Sequence, residues 1–125
     1  MDPLLDEDHA PPVDLAILCE LTGFEGAMAD EFLGDFQTLG AAAADELQRA
    51  AAQQALAALE AVAHRVKSSA RYAGAERLGD LSETLELAAN AGHRDEALAA
   101  VPPWMAEWAR VAGFIARHLA GRAAP

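Results

Sequence analysis

Apolar residues recur at alternating steps of three and four along four long segments of this chain, and this period most restricts its fold. Such spacing places the apolar side chains on one face of a helix and the polar ones on the other. We predict helices at residues 25–51, 56–75, 75–90 and 95–120, with a short helix over residues 15–21. Four long amphipathic helices with short links predict an all-α, up-down-up-down four-helix bundle, whose end the short N-terminal helix covers.

The composition favours a helical chain that forms one domain. Alanine supplies 32 of the 125 residues, whereas valine, isoleucine and threonine together supply only 10. Alanine favours helices and β-branched residues favour strands, and a chain of this length usually forms one domain. We expect Asp14 to cap the short helix and Gly23 to end it. Gly74 should end the second long helix, and the Gly74-Ala75 turn should allow the next helix to approach it closely. Pro102 and Pro103 should kink or restart the last helix.

The apolar periodicity also predicts which side chains face the core. The predicted core residues are Leu15, Leu18, Leu21, Met28, Phe32, Phe36, Leu39, Ala43, Leu47, Leu56, Leu59, Ala63, Val66, Ala70, Ala73, Leu78, Leu81, Leu85, Ala88, Trp104, Trp108, Val111, Ile115 and Leu119.

The two ends of the chain differ from the middle. Residues 1–12 hold three prolines and four acidic residues, which predicts a disordered acidic lead. The helical bundle should span residues 13–121, and residues 122–125 should form a frayed tail. We find no signal peptide and no membrane-spanning run. Cys19 is the only cysteine, so no internal disulfide can form, and we expect a cytoplasmic location.

The net charge of −11 is unevenly distributed. Residues 1–48 hold twelve acidic residues and no basic one, whereas the remainder holds nine basic and eight acidic residues. This balance argues against nucleic-acid binding, which needs a basic surface. Four basic residues closely follow His64, and such a patch suits a small anionic group. An ordinary solvated helix face is the alternative, which charge alone favours. The four are Arg65, Lys67, Arg71 and Arg77.

His64 lies on the polar face of the predicted second long helix, among small and charged residues. A lone exposed histidine on a helix is usually an ordinary surface residue, so its neighbours matter more than the residue itself. The neighbours that share its surface at helical spacing are Ala57, Glu60, Ala61, Lys67, Ser68 and Arg71.

The string A-H-R-V-K-S-S-A-R-Y-A-G-A over residues 63–75 resembles the motif of histidine-containing phosphotransfer (HPt) domains. In that motif a histidine is followed by a hydrophobic residue, lysine, glycine or serine, a further serine, and later Gly-Ala. The continuation with Leu78, Leu81 and Leu85-Glu86 looks like the next helix of the family. The resemblance covers about residues 24–119 and is closest to the C-terminal modules of bacterial hybrid sensor kinases, although a free-standing carrier remains an alternative.

The resemblance implies a carrier in a two-component phosphorelay. His64 would accept a phosphoryl group from the aspartate of a receiver domain and pass it to another receiver, with Lys67 and Ser68 stabilising the phosphoryl group. Arg71 would assist the charge or docking, and the exposed residues before the histidine would contribute to docking. The chain would need no metal or cofactor of its own, because the receiver brings Mg²⁺, and it would be a monomer without kinase activity. The residues before His64 that would contribute to docking are Ala57, Glu60 and Ala61.

Other functions have weaker support from the sequence. No repeated Glu-x-x-His, Cys-x-x-Cys or nucleotide-binding glycine loop is present, which argues against di-iron, zinc and ATP sites. A non-phosphorylated helical adaptor with the same bundle (a pseudo-HPt) is the main alternative, but it predicts loss of His64 or Lys67, and both are present. A simple scaffold bundle is the third interpretation.

Overall fold

A computed structural model describes residues 10–123, and all regular structure in that range is helical. Helices α2 to α5 form a bundle in which each packs against the next and α2 closes against α5, while α1 packs on α3. The predicted all-α four-helix bundle with a short extra N-terminal helix is confirmed. The helices are α1 (Leu15–Thr22), α2 (Ala27–Ala52), α3 (Leu56–Tyr72), α4 (Glu76–Asn90) and α5 (Arg94–Ala123).

Helix α1 is fastened to the bundle at the turn between α3 and α4. As predicted, Asp14 caps α1, accepting a hydrogen bond from the Ala16 N–H at 3.0 Å, and Gly23 ends it at a φ of 75°. The Asp14 N–H also donates to the Gly74 carbonyl at 2.9 Å. A Cβ on Gly74 would lie 2.1 Å from the Asp14 carbonyl oxygen. The close approach at Gly74 is therefore to the segment before α1, a contact that the sequence did not predict.

The core contains most of the predicted residues, but the inward face of α2 is shifted. Leu21 and Met28 are exposed, which the sequence analysis did not predict. A Cβ on Gly40 would lie 2.2 Å from the ring of Trp108, so the absence of a side chain at Gly40 leaves room for this ring to pack against α2. The inward face of α2 consequently contains Gly40 and several alanines, and it lies beside the stripe that the periodicity predicted. The buried residues of α2 are Ala29, Leu33, Phe36, Gly40, Ala43, Ala44, Leu47 and Ala50. The predicted core residues that are only partly buried are Leu15, Phe32, Leu39, Leu56, Leu81 and Leu119.

Helix α5 runs through Pro102 and Pro103, so the predicted restart of the helix is wrong. Both prolines lie on the exposed face, whereas the flanking Val101 and Trp104 are buried in the core. A proline removes one backbone N–H donor from the helix. Here the missing hydrogen bonds fall on the solvent side, and the apolar contacts of the flanking residues hold the helix together.

A buried hydrogen-bond chain fixes α4 against α5. Trp104 Nε1 donates to Ser82 Oγ at 2.9 Å, and Ser82 Oγ donates to the Leu78 carbonyl at 2.8 Å. Buried polar groups that all have partners specify one packing arrangement. This contact holds the helix that carries Glu86, one turn beyond Ser82.

The described ends of the chain pack against the bundle. Arg110 donates to the Ala10 carbonyl at 2.7 Å and to the buried Glu107 carboxylate at 2.8 Å. Helix α5 continues through Arg122, the first residue of the predicted frayed tail. Most of the predicted acidic lead, residues 1–9, and the last two residues lie outside the described range. None of the helices within residues 10–123 has both the length and the hydropathy that a membrane span requires.

Candidate functional site

His64 projects from the middle of α3 into solvent. Its side chain is 71 % exposed. Ala57, Ala61 and Ser68 on the same helix are also exposed and are small. The imidazole therefore stands on a low surface that a large partner can approach.

Glu86 of α4 binds both His64 and Lys67 of α3. His64 Nδ1 lies 2.5 Å from Glu86 Oε2, and Lys67 Nζ donates to Glu86 Oε1 at 2.6 Å. The Glu86 side chain is 15 % exposed and that of Lys67 23 %, so the pair is partly shielded while the imidazole is not. One carboxylate thus uses its two oxygens to fix the two candidate site residues across the helix interface.

The charges around Glu86 determine which ring nitrogen of His64 carries hydrogen. The hydrogen bond from Lys67 lowers the pKa of Glu86; burial opposes this, and the hydrogen bond with His64 adds to it. The carboxylate is therefore ionised at neutral pH and can only accept hydrogen bonds. Nδ1 must carry the hydrogen, so Nε2 of the neutral ring keeps its lone pair. Among residues 10–123, Glu86 provides the only hydrogen bond to this ring.

Glu86 lies within the family pattern in the sequence, but no role was predicted for it. The contact joins residues 22 positions apart, so it cannot be read from the spacing along one helix. A signal was nevertheless present, because Lys67 and Arg71 are four residues apart along α3 and Glu83 and Glu86 are three apart along α4, so each pair lies on one helix face. Matching basic and acidic pairs on adjacent helices indicate contacts across their interface.

Arg71 lies along the same interface but is held by other carboxylates. It donates to Glu83 at 3.1 Å and to Asp80 at 3.3 Å, and the hydrogen bond with Glu83 is the main reason that the pKa of Arg71 is raised. A Cβ on Gly79 would lie 2.7 Å from Arg71 Cγ, so the arginine side chain lies close over α4. The structure therefore brings Lys67 and His64 together through one carboxylate, whereas Arg71 binds two others.

The remaining predicted residues border the histidine along α3. Glu60 accepts a hydrogen bond from Asn90 of α4 at 2.6 Å, one turn before His64. Ala57 and Ala61 are exposed without polar side chains. Together with Ser68 they leave space around the imidazole. No group of three or more histidine, cysteine or acidic side chains within residues 10–123 could hold a metal ion.

Comparison with known proteins supports the resemblance seen in the sequence. A family model described as Hpt domain matches residues 28–119, which reach from α2 to α5 and contain His64, Lys67 and Glu86. No curated protein and no solved structure matches the chain. Hpt domains are phosphocarriers without kinase activity that interact with receiver domains in phosphorelays. With the family model over most of its length and an all-α bundle that presents the motif histidine to solvent, this chain belongs to the Hpt domain family of histidine phosphotransfer modules.

Proposed function

We propose that His64 accepts a phosphoryl group from the aspartate of one receiver domain and passes it to the aspartate of another. The observation that carries this proposal is the exposed imidazole whose Nδ1 is bound by Glu86, because this contact leaves Nε2 as the nucleophile on the solvent side. A carrier needs a nucleophile that a partner can reach in line.

In the proposed transfer, the Nε2 lone pair of His64 forms a bond to phosphorus while the bond between phosphorus and the aspartate oxygen breaks. The aspartate leaves as a carboxylate, and the proton on Nδ1 stays hydrogen-bonded to Glu86. The ring becomes positively charged as the new bond forms, and the ionised Glu86 stabilises that charge. The reverse steps deliver the phosphoryl group to the second receiver.

Lys67 and Ser68 are proposed to stabilise the phosphoryl group. Both lie on the same face of α3 as His64, at three and four residues along the helix. The ammonium of Lys67 is bound to Glu86 at 2.6 Å, so contact with the phosphoryl group requires Lys67 to share or exchange this partner. The hydroxyl of Ser68 is exposed and can donate a hydrogen bond.

The receiver is proposed to dock over the exposed small residues of α3. Ala57 and Ala61 lie before the histidine, while Glu60 and Arg71 provide charge at the edges of this surface. The receiver supplies the Mg²⁺ and the remaining groups for transfer. We place the chain in the cytoplasm as a monomer, either free-standing or as a module of a hybrid sensor kinase.

The test is incubation with a phosphorylated receiver, followed by measurement of acid-labile, base-stable phosphate on the chain. We expect His64→Gln to abolish this phosphate and keep the helical circular dichroism spectrum, because exposed substitutions usually change stability by less than about 0.5 kcal/mol. His93→Gln is the matched control, since His93 is exposed and borders Glu96 on another helix.

Two outcomes contradict the proposal. Phosphate uptake by His64→Gln would mean that another residue is the acceptor. Binding of the receiver without any phosphate on the wild-type chain would instead support the non-phosphorylated adaptor.

A further inference from the structure

A second exposed apolar surface lies where α1 leads into α2. The rings of Phe24 and Phe32 are tilted against each other with centroids 6.1 Å apart. Met28 beside them is 58 % exposed. These three residues, with Glu31 and Asp35, line a cavity of about 260 Å³, which we call the α1–α2 cleft. None of the five belongs to α3 or α4, which carry the histidine site.

The carboxylates of the cleft are not compensated by positive charge. Within residues 10–123, the side chains of Glu31 and Asp35 make no ion pair and no hydrogen bond, unlike most acidic side chains in that range. Asp30 on the same helix is bound by His118 at 2.9 Å and by a neighbouring arginine of α5. The basic groups of α5 therefore neutralise a different face of α2, and the cleft keeps an acidic border.

We propose that the α1–α2 cleft binds a basic amphipathic helix of a partner protein. An apolar side chain of that helix enters between Phe24 and Phe32 and covers Met28, while its lysines or arginines pair with Glu31 and Asp35. The lining residues of α2 recur at positions 28, 31, 32 and 35, which form a stripe along one side of the helix. A stripe of this kind suits a second helix packed alongside, with apolar anchors and complementary charges.

The charge of the cleft favours this partner over two other occupants. Anionic membranes carry a negative surface potential and repel uncompensated carboxylates. A second copy of the same surface across a two-fold axis would place Glu31 and Asp35 near carboxylates of its partner, and like charges across an interface disfavour association.

The probe for this surface is a synthetic helical peptide with leucines on one face and lysines on the others. Its counterpart with glutamates in place of the lysines is the first control. Titration into ¹⁵N-labelled protein should shift the amide signals of the α1–α2 cleft, and the glutamate peptide should shift none. Met28→Asp should weaken binding at least about tenfold, as truncation of a central apolar contact does.

Leu87→Asp is the matched control variant, because Leu87 is 61 % exposed and lies on α4 outside the cleft. It should leave peptide affinity unchanged. Phosphoryl uptake at His64 is measured in Met28→Asp as well, and normal uptake shows that the fold and the histidine site are intact.

Three results would overturn the proposal. A peptide affinity that Met28→Asp does not lower, or signal changes spread over the whole surface, would indicate attraction to net negative charge alone. Binding to phosphatidylserine vesicles that Met28→Asp abolishes would assign the cleft to a membrane. Concentration-dependent self-association that the same variant abolishes would assign it to a second copy of this chain.

Discussion

Replacing Glu86 by glutamine should slow phosphoryl transfer about five- to thirtyfold. The carboxylate accepts hydrogen bonds from His64 at 2.5 Å and from Lys67 at 2.6 Å. A charge-assisted contact contributes about 1.5–3 kcal/mol when shielded, and about 1 kcal/mol is appropriate beside an exposed imidazole. Loss of one such contact in the transition state slows the reaction about fivefold, and loss of two about thirtyfold.

The glutamine amide also affects which ring nitrogen of His64 carries the hydrogen. Its carbonyl oxygen can accept from Lys67 or from His64, but its amide group can only donate. Where the amide faces Nδ1, the ring hydrogen moves to Nε2 and the proposed nucleophile loses its lone pair. We therefore expect a lower maximal rate with little change in receiver affinity.

The assay is a rapid-quench measurement of transfer from a phosphorylated receiver, with a binding titration of the unphosphorylated receiver beside it. Glu83→Gln is the matched control, since Glu83 lies one turn earlier on α4 and binds Arg71 instead of His64. Lys67→Ala alone and together with Glu86→Gln completes a double-mutant cycle. If Lys67 acts only by holding Glu86, the double variant is no slower than the slower single variant.

A wild-type rate in Glu86→Gln would refute the role assigned to this carboxylate. Equal slowing by Glu83→Gln would attribute the effect to the general charge of α4. Effects of Lys67→Ala and Glu86→Gln that multiply would show that Lys67 contacts the phosphoryl group directly.

Three further predictions concern other parts of the chain. Ser68→Phe should block transfer by covering the approach to the imidazole, whereas Ser68→Gly should retain it; transfer assays distinguish the two. Gly40→Ala should lower the free energy of unfolding by about 1–3 kcal/mol because the new methyl group overlaps Trp108, whereas Gly34→Ala, which has nothing within 4 Å of its new methyl group, should raise it by about 0.5–1 kcal/mol. Urea unfolding measures both changes, and changes of the same sign would contradict the packing described for Gly40. The pKa of Glu86 is lowered in the fold, so the ionised carboxylate stabilises the protein at pH values above the ordinary pKa of glutamate, and this effect is lost as the pH falls through the lower folded value. The free energy of unfolding, measured from about pH 7 to about pH 3, should therefore fall less in Glu86→Gln than in the wild type.

The helices and their boundaries were largely predictable because local rules determine them. Gly23 and Gly74 end helices at positive φ, as expected. The turn between α2 and α3 lacks glycine and proline, and Gln54 adopts a φ of 52° there instead. Periodicity could not decide which of two adjacent stripes of α2 faces inward, since that depends on the fit of Trp108 against Gly40.

The histidine site was predictable in its α3 residues but not in its α4 residue. His64 and Lys67 share one helix face, and helical spacing alone places them together. The contact of both with Glu86 depends on how two helices are aligned, which is set by distant packing such as the Trp104–Ser82 hydrogen bond. Contacts between helices are tertiary, and a single sequence rarely specifies them.

The two prolines inside α5 interrupt its main-chain hydrogen bonds without ending the helix. Pro102 and Pro103 supply no N–H, so the carbonyls of Leu98 and Ala99 lack their usual helical donors. The short segment before the prolines is consequently joined to the rest of this 30-residue helix by fewer main-chain hydrogen bonds, and side-chain packing contributes more to holding it in place. Such a junction favours local opening of the segment that begins at Arg94 while the longer segment after the prolines stays folded. Local opening of this kind would make the shorter segment exchange its amide hydrogens sooner than the longer one.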